Sequence, residues 1–212
     1  MKKLLSDRNL FNPISLLILM SIAMPIAFNA WSAMLNNFVV EKAAFTGVEI
    51  GILQSLREVP GFLSFTLIFV LLVIKEQTFA VFSLALLGLG VCLTGFFPTV
   101  YGLYFTTVLM SIGFHYFEAV KQSLSLQWLS KEEAPIILGK LLAVGSLTSL
   151  IVYGCLWTLL EFFQLPYWIN FAIAGGICIF LALVMFIFYP AFPSKVEQNQ
   201  NLVLRKRYWL YY

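Results

Sequence analysis

Residues 167–189 read YWINFAIAGGICIFLALVMFIFY, and no side chain in that run is charged. A helix needs about 20 consecutive apolar residues to cross the hydrocarbon of a bilayer. This stretch supplies them, with aromatic residues at both ends where interfacial side chains belong. A transmembrane β-strand would alternate apolar and polar residues over about ten positions, and this run does not alternate. The rest of the chain has the same character. Hydrophobic residues make up 61% of the 212 positions and charged residues 11%, where a soluble domain carries about 25% charge. So few charges cannot cover a water-exposed surface. The composition excludes an ordinary soluble enzyme, a nucleic-acid binder and a disordered chain, and it predicts an all-α integral membrane protein.

At about 20 residues per crossing, the chain holds roughly six spans. They are expected near 13–40, 47–74, 78–97, 99–129, 136–161 and 167–189. Pro13, Pro98, Pro135 and Pro166 each stand where a span begins, the position that tolerates a missing N–H. Pro25 and Pro60 fall inside the first two spans, where neighbours must satisfy the freed carbonyls. The first apolar run follows a basic Met1–Arg8 segment, but no small-residue cleavage site precedes a polar chain, so it reads as a retained span and not a signal peptide.

Orientation follows from Lys and Arg in the short connections. With both termini in the cytoplasm, the inner side carries Lys2, Lys3, Arg8, Lys75, Lys131, Lys195, Arg205, Lys206 and Arg207, and the outer side only Lys42. The expected organisation is a cytoplasmic N-terminus (1–12), a six-span bundle (13–189) and a cytoplasmic linker (190–207), in the plasma (inner) membrane. Residues 208–212, YWLYY, follow the Arg205-Lys206-Arg207 cluster as aromatics follow the cytoplasmic entrance of a span. They read as the start of an interrupted seventh span, in preference to a tail lying on the anionic leaflet.

Polar side chains inside a membrane cost free energy and mark sites by default. On the first span, Pro25, Asn29, Ser32 and Asn36 share one helical face, which is expected to look into the bundle. On the second, Gly47, Gly51, Gln54, Glu58 and Gly61 form another stripe, with Arg57 at its border; the Gly47/Gly51 spacing suits close approach of another helix. Arg57 and Glu58 are neighbours pointing about 100° apart. Each is expected to seek a partner elsewhere, in an inter-helix charge network. On the fourth span, His115, Glu118, Gln122 and Ser125 cluster on one face with Lys121 in reach of Glu118. This is the densest constellation in the chain. Burial disfavours an ionised carboxylate and a nearby cation favours it; groups balanced between the two can take and release protons.

Other chemistries lack their residues. His115 is the single histidine. Cys92, Cys155 and Cys178 are far apart inside apolar runs, so they read as packing residues and no metal site is expected. No phosphate-binding loop is present, and no cofactor or enzymatic activity is expected.

The fourth and fifth spans carry a resemblance. Lys121-Gln122-Ser123-Leu124 leads to Gln127-Trp128-Leu129-Ser130-Lys131-Glu132-Glu133 and then to Leu138-Gly139-Lys140-Leu141-Leu142-Ala143-Val144-Gly145. A polar fourth span, a short charged loop and a glycine-bearing fifth span resemble the amino-terminal half of a major facilitator superfamily transporter. Trp31–Phe38 (WSAMLNNF) is similar to the outer end of that superfamily's first helix, and the basic linker to its central loop. The glycine-, aspartate- and arginine-rich motif between spans two and three is absent; Lys75-Glu76-Gln77 stands there. The resemblance implies two inverted three-helix repeats, with spans one and four as a matched, cavity-lining pair. Those are two of the spans that carry polar stripes.

The expected function is half of a secondary active transporter, a fragment of a longer chain, moving a small solute by alternating access and coupled to protons. Glu118 would be the proton- or substrate-linked carboxylate, Lys121 its counter-charge, and His115, Gln122, Asn29 and Asn36 the cavity lining. Its partners would be the lipid bilayer, the unidentified solute and a second six-helix half, either a C-terminal part or a dimer partner, with no nucleic acid. Two alternatives stand beside it: the six-span substrate-binding subunit of a multi-component importer, and a structural membrane protein that transports nothing.

Overall fold

The computed structural model describes residues 11–193. Its helices are α1 (Pro13–Ala43), α2 (Gly47–Phe62), α3 (Leu67–Leu71), α4 (Glu76–Thr94), α5 (Val100–Trp128), α6 (Ala134–Trp157) and α7 (Tyr167–Phe188), with no strand among the described residues. A 3-10 turn, Leu63–Thr66, joins α2 to α3, and a π-helical turn, Thr158–Phe162, extends α6. The basic N-terminal Lys2, Lys3 and Arg8, the linker from Ser194 and the Tyr208–Tyr212 segment lie outside the described residues.

Local sequence explains most boundaries. Asn12 accepts from the Ser15 N–H at 2.8 Å while the Ser15 hydroxyl accepts from the Asn12 N–H at 3.1 Å, a capping box that starts α1 ahead of Pro13. Thr46 and Glu49 make the same reciprocal box at the start of α2. α1 stops at Ala44, whose φ of 53° puts a Cβ-bearing residue in the left-handed region usually given to glycine. Pro60 lies in the last turn of α2, and the helix gives way to the 3-10 turn just after it.

α1, α4, α6 with its π turn, and α7 are each long and apolar enough to cross a membrane. The segment 47–71 is broken at Leu63, and α5 is long but carries the polar cluster. The outward surface is apolar where a water-soluble bundle would be charged: Phe62, Val73, Tyr101 and Phe162 are each more than three-quarters exposed. Apolar surface on that scale is stable against lipid, not against water.

α4 sits at the centre of the packing, pressed between α5 and α7. α1 lies against α6 and α7, and α2 lies against α5. α5 and α6 scarcely touch. Glycine sets the closest approaches. A methyl group at Gly113 of α5 would strike the Leu87 backbone of α4, and one at Gly90 would meet the Met110 backbone at 2.5 Å. Gly88 and Gly175 face each other across α4 and α7, each with the other's carbonyl where its own Cβ would stand. Without lipid-driven exclusion between helices, such backbone contact supplies the dispersion that holds them together. The Gly47/Gly51 pair, expected to serve this purpose, does not: both glycines are exposed with nothing within 4 Å of an added Cβ. Spacing defines a smooth stripe, but α2 turns a different face to α5.

Candidate functional site

The space left where α5 and α6 fail to meet is a cavity of about 440 Å³, bounded by α1, α5 and α6. α1 contributes Ser21, Met24, Pro25 and Asn29; α5 contributes Glu118, Lys121, Gln122 and Ser125; α6 contributes Leu138, Leu141, Leu142, Gly145, Ser146 and Ser149. Most of these residues lie in the halves of their helices nearer Pro13, Trp128 and Ala134, with Asn29 and Ser149 past the midpoints of α1 and α6. Midway along both helices, Phe28 of α1 stacks on Phe114 of α5, with centroids 4.1 Å apart and planes 13° apart. The stack joins α1 to α5 beside the lining residue Asn29.

Two charged side chains line the cavity. The Lys121 ammonium stands 3.7 Å from Glu118 Oε1, and the two side chains are 17% and 41% exposed. That separation exceeds the roughly 2.7–2.9 Å of a hydrogen-bonded ion pair. Glu118 Oε1 is itself buried and has no hydrogen-bond partner. The Lys121 ammonium lies 5.8 Å from the Phe117 ring centroid, at the outer limit of a useful cation–π contact.

The neutral groups are arranged around this pair. Asn29 Nδ2 donates to Ser149 Oγ at 2.6 Å, tying α1 to α6, and Ser149 Oγ donates onward to the Gly145 carbonyl at 2.8 Å. Ser125 Oγ donates to the Lys121 carbonyl at 2.8 Å. Ser21 Oγ is buried without a partner. Pro25 lacks the N–H that would bond the Ser21 carbonyl four residues back, and that carbonyl faces Gly145, 3.6 Å from where a methyl group there would sit. Ser21 thus presents a hydroxyl and a carbonyl at one edge of the cavity.

No family model matches this chain, and neither does any curated protein or solved structure. The site is therefore read from its own geometry.

Of the residues expected to share a site, Glu118, Lys121, Gln122 and Asn29 come together on the cavity. His115 and Asn36 do not. His115 lies on the same helical face as Glu118 but one turn farther along, where α2 covers it: its ring packs over Gly61, within 3.0 Å of an added Cβ, and edge-on to Phe114 at 5.1 Å. Asn36 is seven positions beyond Asn29, about 10 Å along the helix, and is exposed outside the cavity. Arg57 and Glu58 also depart from expectation. They pair with each other: Arg57 Nε and Nη2 both donate to Glu58 Oε1, at 3.0 and 2.7 Å. The long arginine stem swings round the helix and overcomes the divergent Cβ directions. What joins α2 to α5 here is the Ser111 hydroxyl donating to the Arg57 carbonyl.

Sequence reasoning missed Ser21 and Ser149, although Ser21 extends the Pro25–Asn29 stripe back by one helical turn. It also missed Gln77. Its amide donates to the Pro190 carbonyl and accepts from the Phe192 N–H, both at 2.9 Å, so the chain leaving α7 is held at the start of α4. Beside it, Glu76 accepts from Ser123 and Gln127 of α5, and Trp128 meets Phe192 edge-on at 5.6 Å. Nothing in the spacing of Lys75-Glu76-Gln77 signals that contact, since its partner lies more than a hundred residues away.

Proposed function

We propose that this chain forms one six-span half of a secondary active transporter of major facilitator type, moving a small solute by alternating access. The observation that carries the reading is the cavity between α1, α5 and α6, where an intramembrane carboxylate and ammonium stand unsealed among amides and hydroxyls. Intramembrane charge is expensive and persists where it lines a solute or ion pathway. The packing lends independent support. Exchange the first three expected spans for the last three, and α1 against α6 and α7 becomes α5 against α2 and α4. Both patterns are present, and α4 against α7 maps onto itself. An internal repeat of three spans produces such a pattern, and inverted repeats are the usual basis of rocking transporters.

In this reading both termini face the cytoplasm, the cavity opens to the cytoplasmic side, and the Phe28–Phe114 stack closes the far side. Glu118 is the proton- or substrate-linked carboxylate and Lys121 its counter-charge, through which flux is coupled to an ion gradient. The test is gradient-driven uptake in proteoliposomes by the assembled transporter. Glu118→Gln is expected to abolish accumulation against a gradient and to flatten what remains of its pH dependence. Unchanged accumulation with an unchanged pH profile would falsify the coupling role. A chain that binds solute tightly and moves none of it would favour the substrate-binding subunit instead.

A further inference from the structure

We infer that the solute is a zwitterion with a short aliphatic tail, its ammonium held by Glu118 and its carboxylate by Lys121. The inference rests on the transport reading only for what the cavity does with its ligand, and the binding claim stands separately. Glu118 and Lys121 are the charged groups that line the cavity; α1 and α6 add none. Their charges cancel, at a distance of 3.7 Å that is an ion pair without a hydrogen bond. A monoanion bound to Lys121 would strand the Glu118 carboxylate, and a monocation bound to Glu118 would strand the ammonium. Glu118 Oε1 is buried although its side chain is 41% exposed, and leaving a charge there without a partner is unfavourable. A zwitterion replaces one loose internal pair with two close ligand pairs and leaves no charge uncompensated.

The neutral groups sort to match. Ser21 offers a hydroxyl without a partner and a carbonyl released by Pro25, and Glu118 Oε1 also lacks a hydrogen bond. These are acceptors for a primary ammonium. Gln122 follows Lys121 on the same cavity wall, and its amide can donate to a carboxylate. Met24, Leu138, Leu141 and Leu142 supply an apolar part of the wall, a surface for methyl and methylene groups beside the polar Asn29, Ser125, Ser146 and Ser149. The volume of about 440 Å³ lies in the lower part of the range for small-molecule sites, roughly 300–1,000 Å³.

The test is equilibrium binding to the full chain in lipid nanodiscs with three solutes of one carbon skeleton: leucine, its deaminated analogue isocaproate and its decarboxylated analogue isoamylamine. Leucine is expected to bind saturably and at least about tenfold tighter than either analogue, since each analogue leaves one charge of the pair without a partner. Glu118→Gln is expected to narrow the gap between leucine and isocaproate, and Lys121→Met the gap between leucine and isoamylamine. The comparison on the unaltered chain does not depend on either variant folding. Isocaproate or isoamylamine binding as tightly as leucine overturns the inference, and so does an absence of binding by all three. Leucine binding without gradient-driven leucine flux would overturn the transport reading and leave the zwitterion site standing. Flux of isocaproate with no leucine binding would do the reverse.

Discussion

At the scale of single residues, a charge inside a membrane is defined by what compensates it. Arg57 and Glu58 stand next to each other on α2 and are closed on themselves through two hydrogen bonds. Glu118 and Lys121 stand three positions apart on α5 and form an ion pair at 3.7 Å in which the buried carboxylate oxygen has no hydrogen bond. The first arrangement is self-sufficient and the second is receptive. A double-mutant cycle separates the pairing within α2 from the network across helices that the sequence suggests. Arg57→Met and Glu58→Gln are expected to couple by roughly 0.5–3 kcal/mol, read from the unfolding of the purified chain. Additivity of the two changes to within about 0.5 kcal/mol would mean that each residue has its principal partner elsewhere.

At the scale of elements, glycine decides which helix faces meet. Gly113 and Gly175 are filled by neighbouring backbone, whereas Gly51 looks into open space. Gly113→Ala and Gly175→Ala should each force apart two helices whose backbones touch, costing about 1–3 kcal/mol as overpacking does in a dense core. Gly51→Ala should instead raise stability by about 0.5–1 kcal/mol through helix propensity. Thermal unfolding of the three variants in one detergent makes the comparison; equal losses at all three would contradict the packing described. His115 belongs to the same level of explanation. Its place over Gly61 follows from the crossing of α2 on α5, and Gly61→Ala is expected to displace the ring before it disturbs the cavity.

At the scale of the whole molecule, a polar cavity lies between α1, α5 and α6, where α5 and α6 scarcely touch. The Phe28 and Phe114 rings stack between α1 and α5 beside the lining residue Asn29, and in the transport reading proposed above they are the contact that closes the far side. A cysteine placed at Gly145, with Cys92, Cys155 and Cys178 replaced by alanine, reports which side reaches the cavity. A membrane-impermeant thiol reagent should label it from the cytoplasmic side and, with Phe114 intact, only slowly from the other. Phe114→Ala should speed labelling from the far side by about tenfold or more, the order expected when a closed state loses about 1.4 kcal/mol of its advantage. Equal labelling from both sides before that substitution would show that the stack seals nothing.

The same scales divide what could be read in advance. The helical stretches were legible because length, apolarity and punctuation are properties of consecutive residues. α1 begins at Pro13 and α7 at Tyr167, where the proline and the apolar run of the sequence place them. The break after Pro60 was visible as a proline, though not as a 3-10 turn. Part of the site was legible as well, since Asn29 on α1 and Glu118, Lys121 and Gln122 on α5 recur at helical spacing. The sequence by itself therefore determined an apolar, all-helical chain with charges concentrated on α2 and α5, because burial in lipid forces every span to satisfy its own backbone and makes each polar residue conspicuous. Tertiary structure alone decided which of those residues meet. Helical periodicity assigns a side chain to a face, but depth along the axis and the crossing of a neighbour determine what that face sees. His115 and Asn36 share the right faces at the wrong depth, Gly47 and Gly51 lie on a face that none of the described residues covers, and Gln77 finds its partner only because α7 ends beside the start of α4.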